Sequence, residues 1–235
     1  MDAYRWISAG LTRTGPRRRV NEDAVLDRPD LGLWAVADGV GGQAAGDVAS
    51  HLVLDSLEAA ITPLSGASAA QLGAAAEAAL LQANEQLIGK ARDLGTRSII
   101  ASTIACLVAD GAHALCLWAG DSRIHLLRDG ALYLLTRDHT LVEVASDAAD
   151  PRARHKLTRA IGAQPDVRLD WASLELRSGD IFLLCSDGIT NVLPAAALAD
   201  GVEVDPEACV VAVTEMAVAA GARDDMSVVM ARALS

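Results

Sequence analysis

Four short apolar runs, each joined to one or two Asp residues, constrain the fold of this chain more than any other feature. Three of the runs, 34–37, 117–119 and 182–186, lead into Asp38, Asp121 and Asp187, and the fourth, 226–230, follows Asp224 and Asp225. Short apolar runs bounded by turn residues are typical of buried strands. A carboxylate at the end of a buried strand is costly unless it is paired or binds a cation. If these strand ends converge, the sequence predicts an oxygen-rich site for a hard divalent metal ion.

The order of periodic segments predicts a single α+β domain over residues 1–235, built from antiparallel sheets. Helical spacing occurs at 44–61, 69–94 and 206–220, with a less regular segment at 137–170. Strand-like segments are expected at 4–12, 33–37, 99–109, 112–119, 122–128, 131–136, 172–177, 181–186 and 226–233. Asp-Gly pairs between them are typical of hairpins. Because strands follow one another while helices come in blocks, antiparallel layers are favoured over a parallel βαβ fold.

The charge and the apolar segments exclude several classes of partner. Twenty basic residues against 31 acidic ones give a net charge of −11, which disfavours binding to nucleic acid or to anionic membranes. The start of the chain has no apolar leader typical of a signal peptide. The apolar stretch 99–120 is interrupted by Asp110-Gly111, as expected for a hairpin rather than a membrane span. We therefore expect a soluble cytoplasmic protein.

A glycine-rich turn offers a competing interpretation. Residues 39–44 fit the pattern G-x-G-x-x-[GA], between a predicted strand and a predicted helix, as in dinucleotide-binding folds. Asp38 would, however, place an anion beside the pyrophosphate, and a second helix follows where a parallel strand is required. In a metal site the glycines would instead let the backbone approach the ion, so that the carbonyl of Gly39 could be a ligand.

Other nucleophiles and metal ligands are poorly supported by the sequence. The four cysteines form no C-x-x-C pair and are expected to be buried thiols. The five histidines lack zinc-ligand spacing. His139 follows Asp138 in a polar turn, where a catalytic role is one interpretation, and Arg123 could contact either substrate or a carboxylate. No Walker A lysine or G-x-S-x-G motif occurs.

Read in order, six motifs resemble those of the metal-dependent Ser/Thr protein phosphatases of type 2C, the PPM family. The motifs are Arg18-x-x-Asn21-Glu22-Asp23, Asp38-Gly39-Val40-Gly41-Gly42-x-x-x-Gly46, Gly120-Asp121-Ser122-Arg123, Thr136-x-Asp138-His139, Ser186-Asp187-Gly188 and Asp224-Asp225. The resemblance covers residues 8–232 and is closest to compact bacterial members that consist of the catalytic domain alone. It implies a four-layer α-β-β-α sandwich of two antiparallel sheets flanked by helices, with 137–170 as a shortened flap-like insertion.

The resemblance also implies which residues bind metal and substrate. The implied ligands serve two Mn²⁺ or Mg²⁺ ions and a third, looser one: Asp38 as the bridge, Asp187 and Asp224 on one ion, Glu22 and the carbonyl of Gly39 on the other, and Asp121 on the third. Arg18 would bind the substrate phosphate, and Asp23 and Asp225 would lie behind the ligands. A hydroxide that bridges the metal ions would attack the phosphorus of phosphoserine or phosphothreonine.

The sequence departs from the family pattern in three places. Val40 stands where some members have a histidine proposed as the general acid, so protonation of the leaving group is unassigned. Asp225 stands where relatives commonly have Asn, and we favour Asp224 as the ligand of this pair. The segment 140–160 is short for a flap, and Asp147 and Asp150 are only candidates for a further ligand of the third metal.

The expected function is removal of phosphate from Ser and Thr residues of proteins, in opposition to a bacterial Ser/Thr kinase. The expected partners are that kinase and its phosphorylated substrates, and a monomer is expected, without nucleic acid or membrane. Two alternatives belong to other classes. One is a catalytically weak phosphatase-like docking or sensor module, against which the intact acids argue. The other is the nucleotide-dependent oxidoreductase suggested by the glycine-rich turn.

Overall fold

The computed structural model describes residues 4–41, 45–95, 99–144 and 156–235. Its strands are β1 (Arg5–Arg13), β2 (Asp23–Arg28), β3 (Leu33–Gly41), β4 (Ile100–Ser102), β5 (Ile104–Ala109), β6 (His113–Ala119), β7 (Arg123–Arg128), β8 (Ala131–Leu134), β9 (Asp170–Glu175), β10 (Ile181–Cys185) and β11 (Met226–Leu234). Its helices are α1 (Gly46–Ile61), α2 (Ala69–Asp93), α3 (Leu141–Val144), α4 (Asp187–Thr190), α5 (Ala195–Asp200) and α6 (Pro206–Ala219), with a short 3-10 turn at Thr62–Leu64.

These strands form two antiparallel sheets. The first sheet has the order β1-β11-β10-β7-β8, so the first and last strands of the chain are neighbours. The second sheet has the order β2-β3-β5-β6-β9, and β4 pairs with the end of β3. In the first sheet, β10 lies between β7 and β11 and pairs with both. This topology brings the ends of β3, β6 and β10 and the start of β11 to one end of the molecule.

Three apolar layers hold the two sheets and their helices together. Between the sheets lie fully buried side chains of both, including Trp34, Leu107 and Phe182. A second apolar cluster joins α1 and α2 to the outer face of the second sheet, and a third joins α6 to the outer face of the first sheet. Strands buried on both faces are apolar at successive positions, which explains the continuous run at 33–37. The predicted α-β-β-α sandwich is confirmed.

Helix ends are specified locally by the sequence. Ser68 caps α2: its hydroxyl accepts the backbone N–H of Gln71, and the Gln71 side chain accepts the N–H of Ser68. The side chain of Asp205 accepts the N–H of Ala208 at the start of α6. In the described part of the chain, none of the helices is both long enough and apolar enough to cross a membrane.

Several elements differ from the sequence-based expectation. Strand β2 was not predicted, because its six residues include three charged ones and show no clean alternation. The expected strand 99–109 is divided at Thr103, whose N–H bonds to the carbonyl of Asp38. Strand β3 continues four residues beyond the predicted end, because β4 pairs with its extension at residues 39–41. The helices α4 and α5 are too short to give a helical repeat that the sequence could reveal.

Candidate metal centre

The strand-end acids line one cleft of about 350 Å³ at the end of the sandwich. Its walls include seven residues singled out from the sequence: Arg18, Glu22, Asp38, Gly39, Asp121, Asp187 and Asp224. They come from five separate parts of the chain, from before β2 to just before β11. The structure therefore brings together the acids whose convergence the sequence suggested, and it adds Arg18 and Glu22 to the same walls.

Hydrogen bonds to Ser102 and Thr103 fix the backbone of Asp38 at the wall of the cleft. Its N–H donates to Thr103 Oγ1 at 3.0 Å, and its carbonyl accepts the N–H of Thr103 at 2.8 Å and the hydroxyl of Ser102 at 3.1 Å. Burial, together with the nearby Asp23 and Asp187, raises the pKa of Asp38 well above its usual range. The ionised form of this side chain therefore needs a positive charge close by.

Asp121 and Asp187 are close enough to interact electrostatically, and Asp187 is the first residue of α4. Burial and the charge of Asp187 raise the pKa of Asp121 to about 7. The amide of Asn191, one turn along α4, donates to Asp187 Oδ2 at 3.0 Å and orients that carboxylate. The turn before Asp121 requires glycine: Gly120 has a φ of +116°, and a Cβ there would lie 2.6 Å from the side chain of Thr103.

Arg18 is the cation between the remaining two acids. Its Nη1 lies 3.0 Å from Glu22 Oε2, and its Nη2 lies 2.5 Å from Asp224 Oδ1. Burial raises the pKa of Glu22, and the charge of Arg18 opposes that rise. The Arg18 side chain lines the cleft and is 39% exposed, so it is accessible to solvent.

Asp225 lies behind the cleft, where its carboxylate binds the backbone of the loop before β2. It is 2% exposed, and its two carboxylate oxygens accept the N–H groups of Gly15 at 2.8 Å and Glu22 at 2.9 Å. The carboxylate therefore fixes the loop that carries Arg18 and Glu22. Asp224, by contrast, faces the cleft, in keeping with the preference for Asp224 as the ligand of this pair.

Asp23 lies in a buried hydroxyl network beneath the same loop. Its Oδ2 accepts the hydroxyls of Ser186 at 2.8 Å and Ser227 at 2.7 Å, and Ser227 in turn contacts Thr12. Burial raises the pKa of Asp23 to about 7, although the two serine hydrogen bonds oppose the rise. This network joins the start of β2, the end of β10 and the start of β11. The cleft acids Glu22, Asp187 and Asp224 lie within three residues of its members.

Gly39 is packed too closely for any side chain. A Cβ at Gly39 would lie 1.9 Å from the carbonyl oxygen of Gly46, the first residue of α1. One at Gly46 would lie 2.6 Å from Glu22 Oε1. The glycines of this turn thus allow α1 to begin directly against the cleft, and the Gly46 backbone hydrogen-bonds the Glu22 carboxylate.

The donor set of this cleft suits hard divalent cations. It consists of carboxylate and backbone oxygens, with Arg18 as the cation that bridges two of the acids. Among residues 4–41, 45–95, 99–144 and 156–235, no three Asp, Glu, His or Cys side chains stand as a ready-made ligand group. Like charges separate unless a cation draws them together. Burial and the charges of neighbouring carboxylates raise the pKa of Asp38 and Asp121, and a bound cation would offset both effects, so the residues fit a metal centre.

Other residues singled out from the sequence have different surroundings. Arg123 makes a two-bond ion pair with Asp138, at 2.9 and 2.7 Å, rather than an open substrate contact. Val40 is 46% exposed at the cleft and carries no proton to donate. Asp147 and Asp150 lie outside the described residues. The strand pairings are all antiparallel in the described part, which removes the parallel unit that the dinucleotide interpretation needed.

Sequence reasoning missed the polar residues that support the ligands. Thr103 and Ser102 hold Asp38, Ser186 and Ser227 hold Asp23, and Asn191 holds Asp187. The position of Asn191, four residues after an acid at a helix start, is the one local signal that could have indicated such a role. The others are serine and threonine residues in apolar runs, and only the tertiary fold brings them to the acids.

A cleft lined by carboxylates, with an arginine at its wall, is typical of enzymes that bind divalent cations and phosphate groups. The protein phosphatase 2C family profile matches residues 17–234. The serine/threonine phosphatase stp of Listeria welshimeri is 30% identical over 201 residues, 80% of each chain. Many solved structures are similar to this chain, including the following two. PppA, a key regulatory component of T6SS in Pseudomonas aeruginosa, has 39% identity, a TM-score of 0.92 and 99% coverage of both chains. The catalytic domain of PstP in complex with two manganese ions has 28% identity, a TM-score of 0.86 and coverage of 98% of this chain and 99% of that one.

The chain belongs to the protein phosphatase 2C family. It is a metal-dependent serine/threonine protein phosphatase. This confirms the family, the fold class and the enzyme class that the six motifs indicated. Every acid that the resemblance implied as a metal ligand lines the cleft, and no observation favours a docking module without turnover.

Proposed function

We propose that the cleft acids have distinct parts in a dinuclear phosphatase centre. In this proposal Asp38 is the ligand shared by both ions, Asp187 and Asp224 complete one site, and Glu22 with the Gly39 carbonyl completes the other. The observation that carries the assignment is the convergence of these residues on the walls of one cleft. A bound pair of divalent cations supplies a water molecule of lowered pKa as the nucleophile and positive charge for the phosphate.

Arg18 is the residue that binds the substrate phosphate. Its guanidinium offers a planar set of donors that matches two phosphate oxygens. In the structure these donors are directed at Glu22 and Asp224. Once those two carboxylates are neutralised, the partly exposed guanidinium can turn to an incoming phosphate monoester without crossing the cleft. Arg18 therefore orients the phosphorus and stabilises the charge on its oxygens in the transition state.

Asp121 serves a third, weaker cation at the edge of the centre. Its carboxyl lines both the metal cleft and a neighbouring cavity of about 390 Å³, whose walls also include Arg123, Asp138 and Thr140. This second cavity adjoins the metal cleft, because Asp121, Asp187 and Asn191 line both. It can accommodate the residues that flank the phosphorylated side chain of a protein substrate.

The biological partners are phosphorylated proteins and the Ser/Thr kinase that modifies them, within a bacterial signalling circuit. Among the similar proteins, stp and PstP are named bacterial Ser/Thr phosphatases, and PppA is described as a key regulatory component of T6SS. A role in regulating a secretion apparatus is therefore part of the proposal. We further propose that the enzyme works in the cytoplasm as a monomer, without nucleic acid or membrane as a partner.

Hydrolysis of a phosphothreonine peptide and of p-nitrophenyl phosphate tests the proposal. Activity should require Mn²⁺ or Mg²⁺, stop on addition of EDTA, and fall by at least about a hundredfold in Asp38→Asn. Asp55→Asn, which alters an exposed acid in the middle of α1, is the matched control and should retain full activity. Hydrolysis that persisted in EDTA, or full activity in Asp38→Asn, would contradict the assignment.

A further inference from the structure

His139, from the fourth motif, is bonded to the turn that carries Asp121. It is 6% exposed and lies in the segment that follows β8. Its backbone N–H donates to the carbonyl of Gly120 at 2.8 Å, and its ring Nδ1 accepts the N–H of Gly120 at 3.2 Å. Both polar backbone groups of Gly120 are therefore satisfied by one residue, which fixes the peptide immediately before Asp121.

The far side of the imidazole is fixed as well. Nε2 lies 3.2 Å from Asp170 Oδ2 at the start of β9, and the Trp118 ring stacks on the imidazole, with centroids 6.3 Å apart and planes inclined by 15°. Since Nδ1 accepts, we assign the proton to Nε2, which donates to Asp170. Arg159 Nη1 lies 3.2 Å from Nε2, but both atoms carry hydrogen, so its bond goes to Asp170 Oδ1 at 2.6 Å.

The Gly120 turn is held between two supports, of which His139 is one. On the opposite side, a Cβ at Gly120 would clash with Thr103, and the hydroxyl of Thr103 also bonds to Ser122 at 2.7 Å. The same Thr103 hydroxyl accepts the N–H of Asp38. Thr103 therefore links Asp38 to the residues on either side of Asp121, and a change in the position of the turn would move Asp121 relative to Asp38.

We propose that His139 is a positioning residue that acts through Asp121. The chain Asp170–His139–Gly120 fixes the peptide from which the Asp121 carboxyl enters the cleft, so His139 sets the distance between that carboxyl and Asp38. His139 is not among the residues that line the metal cleft, so its effect on the cleft passes through its neighbours. This inference rests on the proposed function, in which Asp121 helps to bind a divalent cation.

Two substitutions separate the hydrogen bond from the bulk of the ring. His139→Asn keeps an acceptor near the position of Nδ1, whereas His139→Leu removes the acceptor and retains an apolar side chain. Each protein is freed of metal, its affinity for Mn²⁺ is measured from the EPR signal of free Mn²⁺, and kcat and KM are measured with p-nitrophenyl phosphate. We expect H139L to weaken the binding of Mn²⁺ and to lower kcat/KM by about ten- to a hundredfold, and H139N to recover most of both.

A double-mutant cycle with Asp121→Asn tests whether the effect passes through Asp121. If it does, H139L should lower kcat/KM and Mn²⁺ affinity by less than about twofold in the D121N protein. The matched control is Asp180→Asn, which disrupts a buried pair with Arg128 at the opposite end of β10. D180N should reduce the free energy of unfolding while leaving Mn²⁺ affinity and kcat/KM unchanged.

Several outcomes would overturn the inference. Equal losses from H139L in the wild-type and D121N proteins would show that His139 acts independently of Asp121, and a D121N protein identical to wild type would do the same. If the wild type had no phosphatase activity, the proposed function would fail, but unchanged Mn²⁺ affinity in H139L would still contradict positioning. If H139L does not fold, Asp170→Ala should weaken Mn²⁺ binding in the same direction, and unchanged binding would contradict the proposal.

Discussion

The guanidinium of Arg18 donates through Nε to Asp224 Oδ1 at 2.7 Å, although 206 positions separate the two residues in the sequence. This contact joins the loop before β2 to the loop before β11 at the wall of the cleft. It also places the proposed phosphate-binding residue directly on a proposed metal ligand. Arg18 and a divalent cation thus compete for the same carboxylate, and substitution of Arg18 should separate substrate binding from metal binding.

Arg18→Ala should raise KM for p-nitrophenyl phosphate by about ten- to a hundredfold, because hydrogen bonds to a charged group contribute about 1.5–3 kcal/mol. The affinity for Mn²⁺ should be unchanged or higher, because a competing cation has been removed. Steady-state kinetics and EPR titration measure the two effects. Arg13→Ala, which removes an exposed arginine paired with Glu215, is the control. A loss of Mn²⁺ affinity in R18A would contradict the assigned role.

Asp225→Ala should mainly lower the stability of the protein, whereas Asp224→Ala should mainly weaken its binding of metal. Loss of the Asp225 carboxylate leaves the N–H groups of Gly15 and Glu22 without their acceptor, at a cost of about 1–3 kcal/mol in the free energy of unfolding. Loss of the half-exposed Asp224 should change stability little but remove a metal ligand. Urea unfolding of the metal-free proteins, with Mn²⁺ titration of each, compares the two. A D225A protein as stable as wild type would refute the structural role of Asp225.

His125 should make the protein less stable in acid. It is 4% exposed, and burial, assisted by the charge of Arg123 and opposed by Asp138, lowers its pKa to about 4 from 6.5. The unfolded chain therefore binds this proton more readily than the folded one. The contribution to stability is complete above pH 6.5 and is lost as the pH falls towards 4, by at most about 3 kcal/mol.

His125→Leu isolates this effect from the titration of the carboxylates. The difference in free energy of unfolding between wild type and H125L, measured with urea at several pH values, should change between pH 6.5 and 4 and be constant above that range. A difference that did not depend on pH would mean that the folded protein does not hold His125 neutral.

The four cysteines should be inert in the native protein. Cys106, Cys116, Cys185 and Cys209 are all buried, and burial raises the pKa of each thiol. Because the thiolate is the reactive form, Ellman's reagent should modify none of them in buffer at neutral pH and all four in denaturant. Rapid modification of any thiol in the folded enzyme would contradict the described packing of the apolar layers.

The sequence revealed the acids of the centre more readily than the residues that hold them. Asp38, Asp121 and Asp187 could be found because each follows an apolar run, and those runs are buried strands. The supports could not be found in the same way. Thr103 interrupts what reads as one strand, and its bonds to Asp38 and Ser122 depend on how β3, β5 and the turn after β6 pack.

Asp225 is a second case in which the sequence alone could not assign a role. In the sequence it is the neighbour of Asp224 and has identical chemistry, so position alone cannot separate a ligand from a structural acid. Backbone geometry separates them, since successive residues at the mouth of a strand face opposite ways. Asp225 turns inward to two N–H groups, and Asp224 faces the cleft beside Arg18.

The number of Mn²⁺ ions bound by the wild-type and Asp38→Asn proteins tests the central claim most directly. Both proteins are stripped of metal, and bound Mn²⁺ is counted by titration with EPR detection of the free ion. If Asp38 is the shared ligand of a dinuclear centre, the wild type binds at least two ions per chain, and D38N loses tight binding of both. Two tightly bound ions in a folded D38N protein would contradict the claim.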